Sequence, residues 1–477
     1  MRLGGHSGPN GDRPQGHFLP AWGFVAAYAA LLLCVPTRLI VGPIGAPGTP
    51  ANLLAIAGLL WWTCSLAGGL GQVRGLTLTR LAFITFTVAT LLSYAAGHLR
   101  GWSQPADIHQ RTDRLWEAAD VSQVTEIVSS ASNRGLLAFA GWAGVLLLTS
   151  EGIRTWEQLE KLVDWIVRAA ALVAAMAVAQ YFTGINVASY LRIPGLVGLI
   201  DFGNALSRSD LNRVVATSAH PIELGVVMAA LLPLALHRAL RDSRRPAPWV
   251  PVTLVGLATL MSVSRSAVLA GGIAFIVLFI GWSTKRRIIA AVVAVPLALA
   301  LRVALPGLLG TIRSLFTGLE GDPSVTGRTG DYPLVFGLIE VRPVFGQGLF
   351  TFVPTVYRTI DNQMLVMLLE LGVFGTAAFL LLFAAAQVAA WAPRRLRLDD
   401  QKKQLGLAIS ASLAGMVTSF VTFDALSFRQ VAGLTFLFMG LAGAVHHLAR
   451  LSAIASPSSP PAAVIDAVAT PQRARGR

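Results

Sequence analysis

The sequence predicts an all-α, polytopic integral membrane protein with about 12 transmembrane helices and a large outward-facing loop between helices 9 and 10. Three observations predict it. Hydrophobic residues make up 54% of the chain and charged residues only 13%, with a mean hydropathy of +0.63, a balance found in integral membrane proteins. The apolar residues fall into runs near the ~20 residues that cross a hydrocarbon core of ~30 Å. The cationic residues gather in every second connection between those runs.

The runs lie near 18–36, 51–70, 78–97, 135–150, 162–183, 221–240, 249–264, 267–282, 288–305, 362–391, 405–423 and 430–449, the seventh and eighth also readable as one broken pair. Arg74 and Arg80, Arg154 and Lys161, and Arg238, Arg241, Arg244 and Arg245 occupy alternate connections. Lys285, Arg286 and Arg287, then Arg394, Arg395, Arg397, Lys402 and Lys403, and finally Arg450 continue the alternation. By the positive-inside rule these connections and both termini are cytoplasmic, so the connections near 98–134, 184–220 and 306–361 face outward. The net charge of +14 therefore reports topology and not a nucleic-acid partner. Cys34 and Cys64 both sit in apolar runs, which excludes a disulfide framework and a CxxC metal site. The polar first 16 residues are followed by a run without a convincing cleavage site, so the first helix is expected to stay as an anchor.

The expected organisation is a cytoplasmic tail (1–17), nine helices (18–305), an extracytoplasmic catalytic loop (306–361), three helices (362–450) and a disordered cytoplasmic tail (451–477). In the connection 98–134, apolar positions such as Trp102, Trp116, Val124 and Val128 suit an amphipathic helix at the interface. In RVVATSAHPIELG (213–225), Pro221 opens a helix and biases His220 toward extended backbone. Arg213 and His220 then either point into an external cavity or serve as a snorkelling cation and a helix cap.

Ser264 and Arg265 interrupt an apolar pattern at the outer end of a helical hairpin, where a cation wants an anionic partner. That partner is either a phospholipid phosphate or a phosphate of a substrate. In the long loop, Arg328 lies between glycines in TGRTGD (326–331), YPLVFGLIEVR (332–342) reads as a short helix, and FGQG (345–348) as a tight turn. Asp361 reads as the N-cap of the next helix, and Glu370, inside that helix, needs a partner if ionised. Asp424 and Arg429 in TFDALSFRQ (422–430) read as a local ion pair.

RVVATSAHPIELG, VSRSAVLAGG (263–272), GRTGDYPLVFGLIEVRPVFGQGLF (327–350), DNQMLVMLLELGVFG (361–375) and FDALSF (423–428) together resemble the O-antigen ligase and O-antigen polymerase family of bacterial membrane glycosyltransferases. The resemblance implies transfer of a glycan from a polyprenyl-pyrophosphate carrier to a glycan or glycolipid acceptor, among membrane lipids, without metal, cofactor or nucleic acid. It implies a multi-pass protein of the bacterial plasma (inner) membrane with its active site facing outward. Arg265 and Arg328 are then the catalytic cations on the pyrophosphate, with Arg213, His220, Asn362 and Arg342 in substrate binding. Ligases of the family carry a histidine before the Asn of an HN motif; Asp361 stands there, as proton acceptor or cap, which leans toward a polymerase or another acceptor. A flippase or transporter is the alternative, though the notable charges gather at one surface and not along a path through the bilayer.

The topology is open to a direct check. A single cysteine placed by Ser324→Cys in a chain stripped of its two native cysteines should react with an impermeant maleimide added outside intact cells, and labelling only after permeabilisation would invert the orientation.

Overall fold

The computed structural model describes residues 20–68, 77–103, 121–198, 207–208, 211–304, 310 and 332–455. Fourteen α-helices follow in order among them. They are α1 (Ala21–Cys34), α2 (Pro50–Ala67), α3 (Leu78–Arg100), α4 (Val121–Gly152), α5 (Trp156–Thr183), α6 (Pro221–Arg241) and α7 (Trp249–Met261). Then come α8 (Arg265–Gly281), α9 (Thr284–Ala304), α10 (Tyr332–Val341), α11 (Gln363–Ala390), the single turn α12 (Ala392–Arg395), α13 (Asp400–Ser419) and α14 (Arg429–Ala455). Leu39–Ile40 pairs antiparallel with Val197–Gly198, and Ser207–Arg208 with Leu211–Asn212.

A helix occupies each of the twelve apolar runs. Seven of the described helices are long and apolar enough to cross a membrane, and α1, α7 and α8 are shorter apolar helices. The chain is thus a multi-pass, all-helical membrane protein. At 1.5 Å per residue, α7 and α8 reach only about 20 and 26 Å, short of the ~30 Å core. The turn 262–264, with Val263 at φ 46°, separates the two.

One boundary differs from expectation. α4 begins at Val121, so residues 121–134 extend a membrane helix inward from an amphipathic first third instead of forming a separate surface element. Val124 and Val128 pack with Val335, Leu338 and Phe352 in a satellite core under the loop, which is why that third carries an apolar stripe. The short helix at 332–341 is present as α10. The N-terminal tail, most of 98–120 and 306–331, including Arg328, and the C-terminal tail lie outside the described residues.

α14 is the most buried of the candidate spans and packs on α4, α11 and α13. Phe436 on α14 stacks on Trp142 of α4, and Phe86, Phe379 and Phe420 complete an aromatic centre. Outward-facing apolar side chains such as Leu81, Val88, Ile276, Ile280, Val292 and Val295 are the lipid-facing surface expected of such a bundle.

The two ends of the bundle differ in chemistry. At one end Arg80 meets Glu151 at 3.6 Å, Arg238 meets Asp164 at 3.0 Å, Arg241 meets Glu160 at 2.6 Å and Arg286 meets Asp400 at 2.9 Å. These are the cations that the sequence distributes over alternate connections. The starts of α6, α8, α11 and α14 gather at the other end.

Candidate functional site

The site is assembled around Glu370. Gly372, at φ 66° and ψ −173°, breaks α11 just after it. The freed carbonyl of Glu370 accepts from Gln347 N at 3.0 Å, Gly348 N at 2.8 Å and Ser93 Oγ of α3 at 2.6 Å. Its carboxyl group accepts from Phe350 N at 2.9 Å through Oε2 and from Phe352 N at 3.0 Å through Oε1. Beyond the break, Val373 N and Phe374 N donate to the carbonyls of Pro343 and Val344 at 2.8 and 3.2 Å. The non-helical segment 343–352 and the broken helix therefore satisfy each other's main-chain groups, as backbone removed from water must. The partner that Glu370 was expected to need is this loop. The approach is too close for a side chain: a Cβ at Gly346 would lie 2.4 Å from the Glu370 backbone, and one at Gly372 would lie 2.3 Å from the Val344 carbonyl oxygen.

A second buried glutamate anchors the 213–221 segment. Glu223 accepts from Ala219 N at 2.8 Å and from Gln430 N at 2.9 Å, joining α6 to the start of α14. The Gln430 side chain accepts from Ser218 Oγ at 2.6 Å and donates to the Leu32 carbonyl at 3.1 Å. Gln180 of α5 accepts from Val215 N and Ala216 N at 3.1 and 2.9 Å. His220 has the extended backbone that Pro221 imposes, φ −145° and ψ 149°, and its Nδ1 accepts from Ile222 N at 3.1 Å as the cap of α6. Burial, then the nearby Arg213 charge, lower its pKa to about 4, so the ring is neutral. The buried Arg213 donates from Nε to the Ser262 carbonyl at 3.2 Å, which ties it to the turn between α7 and α8. Ser264 caps α8 through its hydroxyl, and Arg265 is the first helical residue.

Between these two anchors a cavity of about 290 Å³ opens among α1, α2, α4, α11 and α14. Its polar wall carries Arg134, Arg358, Arg429, Asp424, Gln363 and Glu370, and its apolar wall includes Tyr28, Trp142 and Phe352. Gln363 holds the wall in place, donating its N–H to the Phe423 carbonyl at 3.1 Å and accepting from Leu426 N at 2.6 Å. Burial raises the Asp424 carboxyl to a pKa of about 6, the Ser427 hydroxyl opposes the shift, and the charge of Asp361 adds to it.

Several expectations change. The cap of α11 is Asn362, whose Oδ1 accepts from Met364 N at 3.0 Å and Leu365 N at 3.4 Å; Asp361 sits one residue too early for the role. Asp424 and Arg429 do not form a local ion pair. Asp424 accepts from Ser427, and Arg429 reaches away to the Ala46 and Thr37 carbonyls at 3.0 and 2.8 Å. Arg342 braces the end of α3 through the Gly101 and Arg100 carbonyls and does not line the cavity. Arg213, His220 and Arg265 stand at the same end of the bundle, across Phe428, whose ring is 6.0 Å from His220, but outside the cavity wall. Asp361 is near enough to Asp424 to act on its charge. The cavity cations Arg134 and Arg358 are not singled out as site residues by the sequence; the signal for Arg134 is an apolar stripe continuing α4 back to residue 121.

A multi-pass helical bundle with a charged cavity at one end, built on a broken helix and a glycine-rich loop, defines the class. Residues 250–380 match the family model described as O-antigen ligase. That span contains Arg265, Glu370 and the loop between them, so the chain carries an O-antigen ligase family region and the resemblance in the sequence is borne out. This places it among membrane proteins of polysaccharide biosynthesis with transferase character. No curated protein matches the chain at a significant level.

The Glu370 clamp predicts two outcomes. Glu370→Gln keeps one acceptor but turns an amide toward the second N–H, and should cost about 1–3 kcal/mol, read as a lower melting temperature and faster proteolysis between 346 and 352. Gly346→Ala, which adds a left-handed strain of about 1–3 kcal/mol to a clash with backbone, should be worse than Glu370→Gln in both measurements.

Proposed function

We propose that the chain is a glycosyltransferase of the bacterial inner membrane that moves a glycan from a polyprenyl-pyrophosphate carrier to an acceptor sugar. In this reading the twelve apolar runs all span the bilayer and both termini are cytoplasmic. The cavity end faces outward. The observation that carries the reading is the position of the matched family region. Its helices bring Arg265, Asp361 and Glu370 to the end of the bundle that holds the charged cavity, opposite the end rich in ion-paired cations.

The acceptor hydroxyl oxygen attacks the anomeric carbon, and the bond from that carbon to the pyrophosphate oxygen breaks with its electron pair left on the pyrophosphate. Charge therefore grows on the leaving group, and guanidinium groups placed there lower the barrier. Arg213 and Arg265, on the adjoining turns, are assigned to the pyrophosphate, with Arg328 of the outer loop joining them. Asn362 and His220 orient the neighbouring backbone as caps. The hydroxyl proton passes to the carboxylate pair Asp361 and Asp424. Capping falls to Asn362, so it does not account for Asp361, and Asp424, with a pKa of about 6, is poised near neutral pH as a general base should be. Arg134, Arg358 and Arg429 are placed to hold sugar hydroxyls and acidic substituents in the cavity.

Purified protein in vesicles carrying polyprenyl-pyrophosphate glycan should form glycosidic linkages and release the pyrophosphate carrier; movement of the lipid across the vesicle without release would make it a flippase. Arg265→Lys and Arg328→Lys keep charge but lose the bidentate fork. Each should lower the rate about ten- to a hundredfold, the equivalent of one charge-assisted hydrogen bond, and full activity in both would remove the clamp.

The pH profile should separate the two carboxylates. Asp424 is protonated below pH 6 and becomes a base above it, so the rate should rise as pH passes through about 6. Asp424→Asn should abolish that limb. Full activity in Asp361→Asn would assign the proton to Asp424 alone.

A further inference from the structure

A second cavity, of about 230 Å³, lies at the opposite end of the bundle, among the ends of α6 and α8 and the starts of α9 and α13. Its floor is apolar: Leu236, Leu240, Leu278 and Trp282 belong to a satellite core with Leu407 and Ala411 of α13. Its rim is polar, with the guanidinium groups of Arg241 and Arg286, the amides of Gln401 and Gln404, the His237 ring and the Asp400 carboxylate. Apolar floor and cationic rim together are the form of a site for an amphiphile with an anionic head.

The charges at the rim are disposed for exchange. The Asp400 side chain that pairs with Arg286 is 68% exposed, and an ion pair so open to solvent is weak, so a phosphate can take the place of the carboxylate. Arg241 is held against Glu160 and Asp164 at 2.6 and 3.6 Å, which fixes its direction. Around the rim, Lys285 and Arg287 on one connection and Arg394, Arg395, Arg397, Lys402 and Lys403 on the other face only Asp399 and Asp400 in the same stretches. The surplus is positive. The first turns of α9 and α13 add their N-terminal partial charge to it.

We propose that this cavity holds the phosphate of an anionic phospholipid from the leaflet at the basic end, with the acyl chains lying over Leu236, Leu240 and Trp282. The apolar floor distinguishes a lipid from a soluble phosphate compound, which would leave that surface uncovered. So does the setting: α9, which borders the cavity, presents Ile288, Ile289, Val292 and Val293 outward, as a helix beside lipid does. The bound lipid would bridge α6, α9 and α13, and the inference is independent of the proposed transferase activity.

The test is the melting temperature of the purified full chain in detergent with phosphatidylglycerol, phosphatidylcholine or glycerol phosphate added. Phosphatidylglycerol should raise it, because a ligand of the folded state alone stabilises by mass action, while phosphatidylcholine should not. Arg286→Gln should at least halve the rise, Arg286→Lys should lose less, and Lys403→Gln, a nearby cation outside the cavity wall, should keep it. An equal rise in the wild type and Arg286→Gln would overturn the proposal, as would an equal loss in Lys403→Gln, which would mean diffuse charge attraction. A rise with glycerol phosphate matching that with phosphatidylglycerol would overturn the lipid assignment in favour of a soluble phosphate.

Discussion

Everything at the cavity end depends on one residue meeting the main-chain amides of a segment that has no strand or helix of its own. Residues 346–352 run through the protein without regular structure, where each unsatisfied N–H is costly. Glu370 supplies acceptors from both its carbonyl and its carboxyl group, to Gln347, Gly348, Phe350 and Phe352. The break at Gly372 is the condition for this, since an intact helix would have kept the Glu370 carbonyl for itself. Ser93 adds α3 to the same carbonyl, so one position fixes a loop, a broken helix and a neighbouring span. Phe352 and Glu370 thereby become walls of the cavity.

Glu223 repeats the device on the other side, with one carboxyl group across Ala219 N and Gln430 N. Arginines at this end are oriented in a related way. Arg213, Arg342 and Arg429 each donate to main-chain carbonyls, which aim the guanidinium. At the basic end Arg80, Arg238, Arg241 and Arg286 meet carboxylates, while Arg287 and Arg394 donate to the Ile280 and Gly281 carbonyls.

Much of the fold was legible in the sequence because length and hydropathy act locally. Each apolar run became a helix, Pro221 set the extended backbone of His220, and YPLVFGLIEV formed its short helix. What failed was inference from adjacency. Asp361 had the chemistry of a cap, yet Asn362 next to it had the geometry. Asp424 and Arg429 had opposite charges five residues apart, yet Arg429 found carbonyls near residues 37 and 46. The cavity itself draws on Arg134, Arg358 and Asp424, which no local pattern connects, because only the packing of α4, α11 and α14 brings them together.

The hydrogen bond from Ser93 to residue 370 spans 277 positions of the chain, and those from Gln430 to Leu32 and from Arg429 to Thr37 span 398 and 392. These long closures impose an order on assembly. When the ribosome has produced the segment 346–352, the acceptors it needs have yet to be made, and the early helices wait for α14 to cover them. The first spans to enter the membrane therefore hold an open seam until the last span arrives. A nascent chain halted before residue 429 has all of its matched family region and still no closed cavity.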